Sequence, residues 1–182
     1  MSLANADWSN GLFNFSYQVV RWCLLALLLG FCALTYSETL TGKVIGVTDG
    51  DTLTLLVNES QQVKIRLAGI DSPEKRQEFG QKAKAMLSDL AFQKNATANC
   101  RKQDRYQRSI CIVLVDDVDV GLQQIQAGLA WWYRQYISEQ TGSERTSYEA
   151  AERDAKAHRR GLWAMQNPTP PWEWRKGERL VE

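Results

Sequence analysis

Lys64-Ile65-Arg66-Leu67-Ala68-Gly69-Ile70-Asp71-Ser72-Pro73-Glu74 is the stretch on which the organisation of this chain turns. Taken with Gln62 before it, apolar Val63, Ile65 and Leu67 alternate with polar Gln62, Lys64 and Arg66, the period of a strand with one buried face. Arg66 therefore points away from the apolar side, and the turn that follows delivers Asp71 and Glu74. One guanidinium on a rigid strand and two carboxylates on the next turn suit holding a metal and a phosphate together. A plainer reading makes Ser72 a helix N-cap, Pro73 the first helical residue and Glu74 an acid favoured by the helix dipole.

Upstream, Lys43 to Val47 and Leu53 to Val57 read as strands joined by Thr48-Asp49-Gly50-Asp51-Thr52. Asp-Gly between apolar runs is a hairpin signal, and that turn accounts for Asp49 but not for a second acid at Asp51. Downstream, Phe79, Ala83, Met86, Leu87 and Leu90 recur at helical spacing and predict a helix from about Glu78 to Leu90. Two more strands are expected around Ala96–Cys100 and Ser109–Val115. The basic connection between them reads as a solvated loop at Arg101 and Lys102. Val120, Leu122, Ile125 and Leu129 mark a short helix ended by Gly128. Trp131 and Trp132 read as core. Thr146-Ser147-Tyr148-Glu149 is a capping box opening a helix that ends before Gly161, with His158 on its packed stripe. Residues 38–165 make the domain. Residues 166–182, rich in proline and tryptophan, read as an extended tail docked through its tryptophans. The order of elements predicts an α+β fold, a five-stranded OB-type barrel with three packed helices.

At 182 residues the chain suits one domain, and its net charge of +1 leaves any nucleic-acid site to local basic clusters. Residues 1–37 carry an apolar run from Trp22 to Leu34 behind Arg21, about 13 residues long and short of the roughly 20 needed to span a bilayer. The small residue Ser37 follows, so the segment reads as an export signal and the protein as secreted or periplasmic. The alternatives are a retained anchor, leaving the protein on a membrane facing outside the cytoplasm, and a buried core helix. Past that segment only Cys100 and Cys111 remain, an even pair in an oxidising compartment. They end and begin adjacent strands of one hairpin. A disulfide is predicted, with Cα atoms about 4.5–5.5 Å apart. With one histidine and no Cys-x-x-Cys, zinc sites built on those ligands are out.

Asp51, Arg66, Asp71, Glu74 and Arg108 remain without a purely structural reason. Three carboxylates and two arginines can hold a hard divalent cation, calcium or magnesium, against a phosphodiester. Fixed guanidinium groups and a metal stabilise the extra charge of a five-coordinate phosphorus, and a free carboxylate can deprotonate water. From about Thr41 to Trp163 the chain resembles the staphylococcal nuclease (thermonuclease) family. The resemblance rests on Asp49-Gly50-Asp51-Thr52, Arg66 through Glu74, Asp104-Arg105-Tyr106-Gln107-Arg108 and Gly161-Leu162-Trp163. It implies Asp51, Asp71 and the backbone carbonyl of Ser72 as calcium ligands, with Asp49 close behind them. It further implies Glu74 as the residue handling the attacking water and Arg66 and Arg108 as phosphate clamps. Arg105, Tyr106 and Tyr136 fall where nucleotide-contacting side chains stand. The implied activity is endonucleolytic hydrolysis of DNA and RNA to 3′-phosphate ends by a monomer. Gln107 departs from the family's glycine; a positive φ there would cost glutamine about 1 kcal/mol or divert the loop. The competing reading is a catalytically silent barrel that binds nucleic acid or protein.

Overall fold

The computed structural model describes residues 38–179, so the export segment expected over residues 1–37 lies outside the described residues. Among the described residues, no helix is long and apolar enough to cross a membrane. Strands β1 (Glu38–Val47), β2 (Thr52–Val57) and β3 (Gln61–Leu67) form an antiparallel meander. β4 (Ile70–Asp71) follows, then helix α1 (Gly80–Ala91), β5 (Asn95–Gln103) and β6 (Ser109–Val115). β1 also pairs with β5, β5 pairs with β6, and β6 runs parallel to β3 from Ile65↔Ser109 to Leu67↔Cys111. That last pairing closes a five-stranded mixed barrel. Its interior is the alternate-residue face foreseen for these strands: Val44, Leu53, Leu55, Ile65, Leu67 and Val113 are buried together. Each large aliphatic side chain so buried contributes about 1.5–3 kcal/mol.

Short strand β7 (Val118–Asp119) leads into α2 (Val120–Gln126), and β8 (Trp131–Trp132) pairs with β4. A 3₁₀ stretch (Arg134–Glu139), α3 (Gly142–Ala157), a second 3₁₀ turn (Gly161–Ala164) and α4 (Pro171–Arg179) complete the chain. The elements fit the expected α+β barrel, with corrections at several ends. β1 begins five residues before Lys43, because Glu38–Gly42 pairs with β5 although it lacks apolar alternation. α3 begins before Thr146. The capping box in use is Thr141 with Glu144, and the Thr146 hydroxyl donates to the Gly142 carbonyl inside the helix. His158 is not packed against the barrel. The helix stops at Ala157, leaving the imidazole exposed beside Asp154. The tail is not extended throughout: Pro171 opens α4 from the first helical position, where its missing N–H costs nothing.

Glu152 of α3 ties this helix to β8. Its carboxylate is buried and accepts bonds from the Trp132 main-chain N–H (3.1 Å), Arg134 (2.9 Å) and Lys156 (2.9 Å). Burial works to raise its pKa, but the bonds from Arg134 and Lys156 outweigh it and hold the group below the ordinary glutamate value of 4.5. A depressed folded pKa contributes stability above the unfolded value and loses it as pH falls through the folded one. Because both cations are about half exposed, Glu152→Gln is expected to cost about 1–3 kcal/mol near neutrality. Urea unfolding of both proteins should show that difference shrinking below pH 4.5. A difference that holds constant into acid would contradict this role for the charge.

Candidate active site

The β1–β2 turn, the segment from β3 through Glu74 and the β5–β6 hairpin meet at one cleft of about 830 Å³. Asp49, Asp51, Arg66, Asp71, Ser72, Glu74, Arg105, Tyr106, Arg108 and Tyr136 all line it. Residues far apart in sequence are brought together by main-chain locks. The Asp51 carbonyl accepts from the Leu67 N–H (2.8 Å), while its carboxylate accepts from the Ser72 N–H (2.9 Å) and the Thr52 hydroxyl (3.1 Å). No helix starts at Ser72, so the N-cap reading fails: its hydroxyl donates instead to the Gly50 carbonyl (3.0 Å), and α1 waits until Gly80. Two glycines allow this closeness. A Cβ on Gly50 would stand 2.6 Å from that of Ala83, and one on Gly80 would stand 2.0 Å from the Glu74 carbonyl. Gln124, fully buried on α2, donates to both the Gly50 and Ala83 carbonyls at 2.8 Å, pinning the acidic turn to α1.

Arg66 stands at the centre. One terminal nitrogen lies 2.7 Å from Asp51 Oδ2 and the other 2.8 Å from Asp71 Oδ1. Burial works against the guanidinium charge, yet Asp51, Asp71 and Asp49 together outweigh it and raise its pKa. Asp71 is held by β4 opposite Trp131 and is 1% exposed. Burial pushes its carboxyl up, and Arg175 and Arg66 pull against that push. Asp49, whose carboxylate accepts from the Asp51 N–H (3.1 Å), is pushed up to about 6 by burial and then by the negative charge of Asp51.

The β5–β6 hairpin forms another wall. Gln107 has φ +62°, so the loop keeps the left-handed turn a glycine would favour and bears the strain. Asp104 compensates. Its carboxylate accepts from the Tyr106 and Arg108 N–H groups (2.9 and 3.0 Å) and from Arg108 Nε (2.8 Å), which aims Arg108 towards Thr52. At the base of the hairpin Cys100 and Cys111 are disulfide-bonded, with Cα atoms 4.0 Å apart, nearer than expected. Closing that loop stabilises by about 3 kcal/mol in the chain-entropy view. Arg105 lies over the Tyr106 ring at 4.8 Å, and Tyr106 is the most exposed aromatic of the cleft. Tyr136 is half exposed, with Lys102 over its face (4.7 Å) and Tyr133 edge-on (5.4 Å). Arg101 and Lys102 are not loop residues. They extend β5 and pair with Glu144 and Glu139. Trp131 and Trp132 are buried, as expected of core.

Arg175 reaches the site without a signal in the sequence. From α4 it makes a two-point contact with Asp71, at 3.3 Å to Oδ1 and 2.8 Å to Oδ2, and lies 2.6 Å from Glu74 Oε1. Among the described residues no three His, Cys, Asp or Glu side chains are gathered for a metal, and a guanidinium bridges the two acids Asp71 and Glu74. The donors that do converge, Asp51 and Asp71 about Arg66, are hard carboxylate oxygens, the type an alkaline-earth ion takes.

Residues 64–165 match the protein-family model described as "Staphylococcal nuclease homologue". A curated protein of Haemophilus influenzae, an "Uncharacterized endonuclease", is 42% identical over 159 residues, covering 86% of each chain. A "Micrococcal nuclease" of Shigella flexneri is 34% identical over 147 residues, covering 76% of this chain and 82% of its own. A "Probable staphylococcal-like nuclease" of Oryza sativa subsp. japonica is 34% identical over 120 residues, covering 66% of this chain and 34% of its own. With a closed barrel carrying an acidic and basic cleft of this composition, the protein is a nuclease, and its chain belongs to the staphylococcal nuclease family.

Proposed function

We propose that the protein is an exported, calcium-dependent endonuclease that hydrolyses phosphodiester bonds of DNA and RNA to 3′-phosphate ends. The observation that carries this is Arg66 held between Asp51 and Asp71 in the cleft that also contains Glu74 and Arg108. Two carboxylates and the Ser72 carbonyl, without histidine or cysteine, suit calcium better than a transition metal. When bound, calcium supplies Lewis-acid stabilisation of the phosphoryl oxygens and a fixed place for the phosphate. Arg66 and Arg108 clamp the remaining oxygens as they gain charge. Glu74, half-buried at the cleft edge, takes a proton from the attacking water as its oxygen bonds to phosphorus. The P–O5′ bond breaks and the departing O5′ takes a proton from solvent, leaving a 5′-hydroxyl on one fragment and a 3′-phosphate on the other. Tyr106 and Tyr136 offer exposed rings for bases to stack on, and Arg105 adds charge beside them.

Export is supported by the apolar run in residues 1–37 and by the disulfide, which oxidising compartments permit. A retained segment would instead anchor the same enzyme to a membrane, facing outside the cytoplasm. The chain acts as a monomer in this reading. The test is cleavage of DNA and RNA by the full chain in calcium, magnesium or excess chelator, with end groups identified on the products. Calcium-supported cleavage of both polymers to 3′-phosphate ends is expected. Undiminished cleavage in chelator, or 5′-phosphate products, would overturn the mechanism.

A further inference from the structure

The geometry points to α4 as a strap whose Arg175 guanidinium stands where a divalent cation would bind, so that metal entry requires the strap to release. The inference rests on the calcium reading of the site. Residues Trp172 and Arg175 lie three apart in α4, on one helix face. Trp172 stacks on Tyr133 with centroids 5.4 Å apart and rings inclined by 25°, and it meets Trp131 edge-on at 6.4 Å. Just before the helix, the Thr169 carbonyl accepts a bond from Gln77 at 2.5 Å. These contacts fasten the segment beside the cleft, and Arg175 reaches from it to both oxygens of Asp71 and one of Glu74.

Arg66 gives one terminal nitrogen each to Asp51 and Asp71 from within the barrel, whereas Arg175 reaches Asp71 and Glu74 from a separate helix. Both terminal nitrogens of Arg175 face carboxylates, and the Asp71 contact is the two-point fork of a guanidinium on a carboxylate. A cation binding Asp71 would compete for oxygens that already accept from Arg66 and Arg175, and it would meet the Arg175 charge within a few ångströms. Closed strap and bound cation therefore exclude one another. Apparent metal affinity is reduced by the fraction of molecules whose strap is open. The Arg175 side chain is 39% exposed, so solvent screens these pairs and the closed state is held only weakly.

The experiment is calorimetric titration of the full chain with calcium alone, paired with amide hydrogen exchange across residues 168–179. Arg175→Gln is expected to bind calcium about tenfold more tightly than the parent, in proportion to the population of the closed strap. Lys176→Gln removes a charge from the same helix, but its partner is Glu173, so its affinity should match the parent. Calcium should accelerate exchange over 168–179 in the unmutated protein, a readout that needs no variant. Unchanged or weaker calcium binding by Arg175→Gln, or exchange that slows on adding calcium, overturns the strap while leaving the calcium reading standing. No calcium binding by either protein overturns both together.

Discussion

Glu74→Gln is expected to lower kcat by about 10²–10⁴-fold, the usual loss when a general base is removed, with KM little changed and calcium bound no more weakly. Glutamine keeps the volume of Glu74 and an oxygen that can accept from Arg175, so the surroundings of the site are retained. It has no basic oxygen for the proton of water. The glutamate is about one-third exposed and, among the described residues, is paired with Arg175, so a pair of this kind contributes about 0–1 kcal/mol to folding. The melting temperature should consequently move by no more than about 2–4 °C. Single-turnover cleavage in saturating calcium measures the chemical step directly. A variant that cleaves at nearly the parental rate would remove Glu74 from the role, and Asp49, pushed up to about 6 and lining the same cleft, would become the base to test.

What could be read from the sequence follows a physical division. The barrel strands announce themselves through alternation, since Leu53, Leu55, Ile65 and Leu67 face one core in register. The acidic turn and its arginine are equally legible, because they lie on that hairpin and on the strand beside it. The start of β1 is not, because Glu38–Gly42 is a largely exposed stretch whose pairing with β5 is set by main-chain bonds. The start of α3 is hidden for another reason. Thr141 with Glu144 and Thr146 with Glu149 both satisfy the capping pattern, and the first prevails because residues 142–145 can also be helical. His158 falls on the α3 stripe only if the helix runs one residue further than it does, since it is the C-cap after Ala157. Arg175 carries no sequence signal of its place. It comes 101 residues after Glu74 and follows a proline-rich stretch, and no local pattern tells which surface a nine-residue helix will cover. Gln124 is similar: a buried amide at the right spot on α2 is visible only once its two carbonyl partners are.

Arg66→Lys should show that charge alone does not serve at the centre of the site. Arg66 makes one contact to Asp51 and one to Asp71 through two nitrogens in a plane, at 2.7 and 2.8 Å. An ammonium is a single point that cannot span both acids, nor offer two parallel N–H groups to phosphate oxygens. Two consequences are separable. Without calcium, one of two nearly buried carboxylates loses its cation, which should cost about 1–3 kcal/mol of folding stability. In saturating calcium, the ion compensates the acids and that loss should largely vanish, since a ligand that binds only the folded state stabilises it. The catalytic loss should not vanish with it. A guanidinium aimed at developing charge is worth about 10²–10³-fold in kcat, and lysine in its place should forfeit most of that even where calcium has restored the parental melting temperature. The diagnostic is thus a variant rescued in stability and not in turnover. If calcium restored both, Arg66 would be serving only to neutralise Asp51 and Asp71 until the metal arrives, and phosphate clamping would fall to Arg108, already aimed by Asp104 at the same cleft.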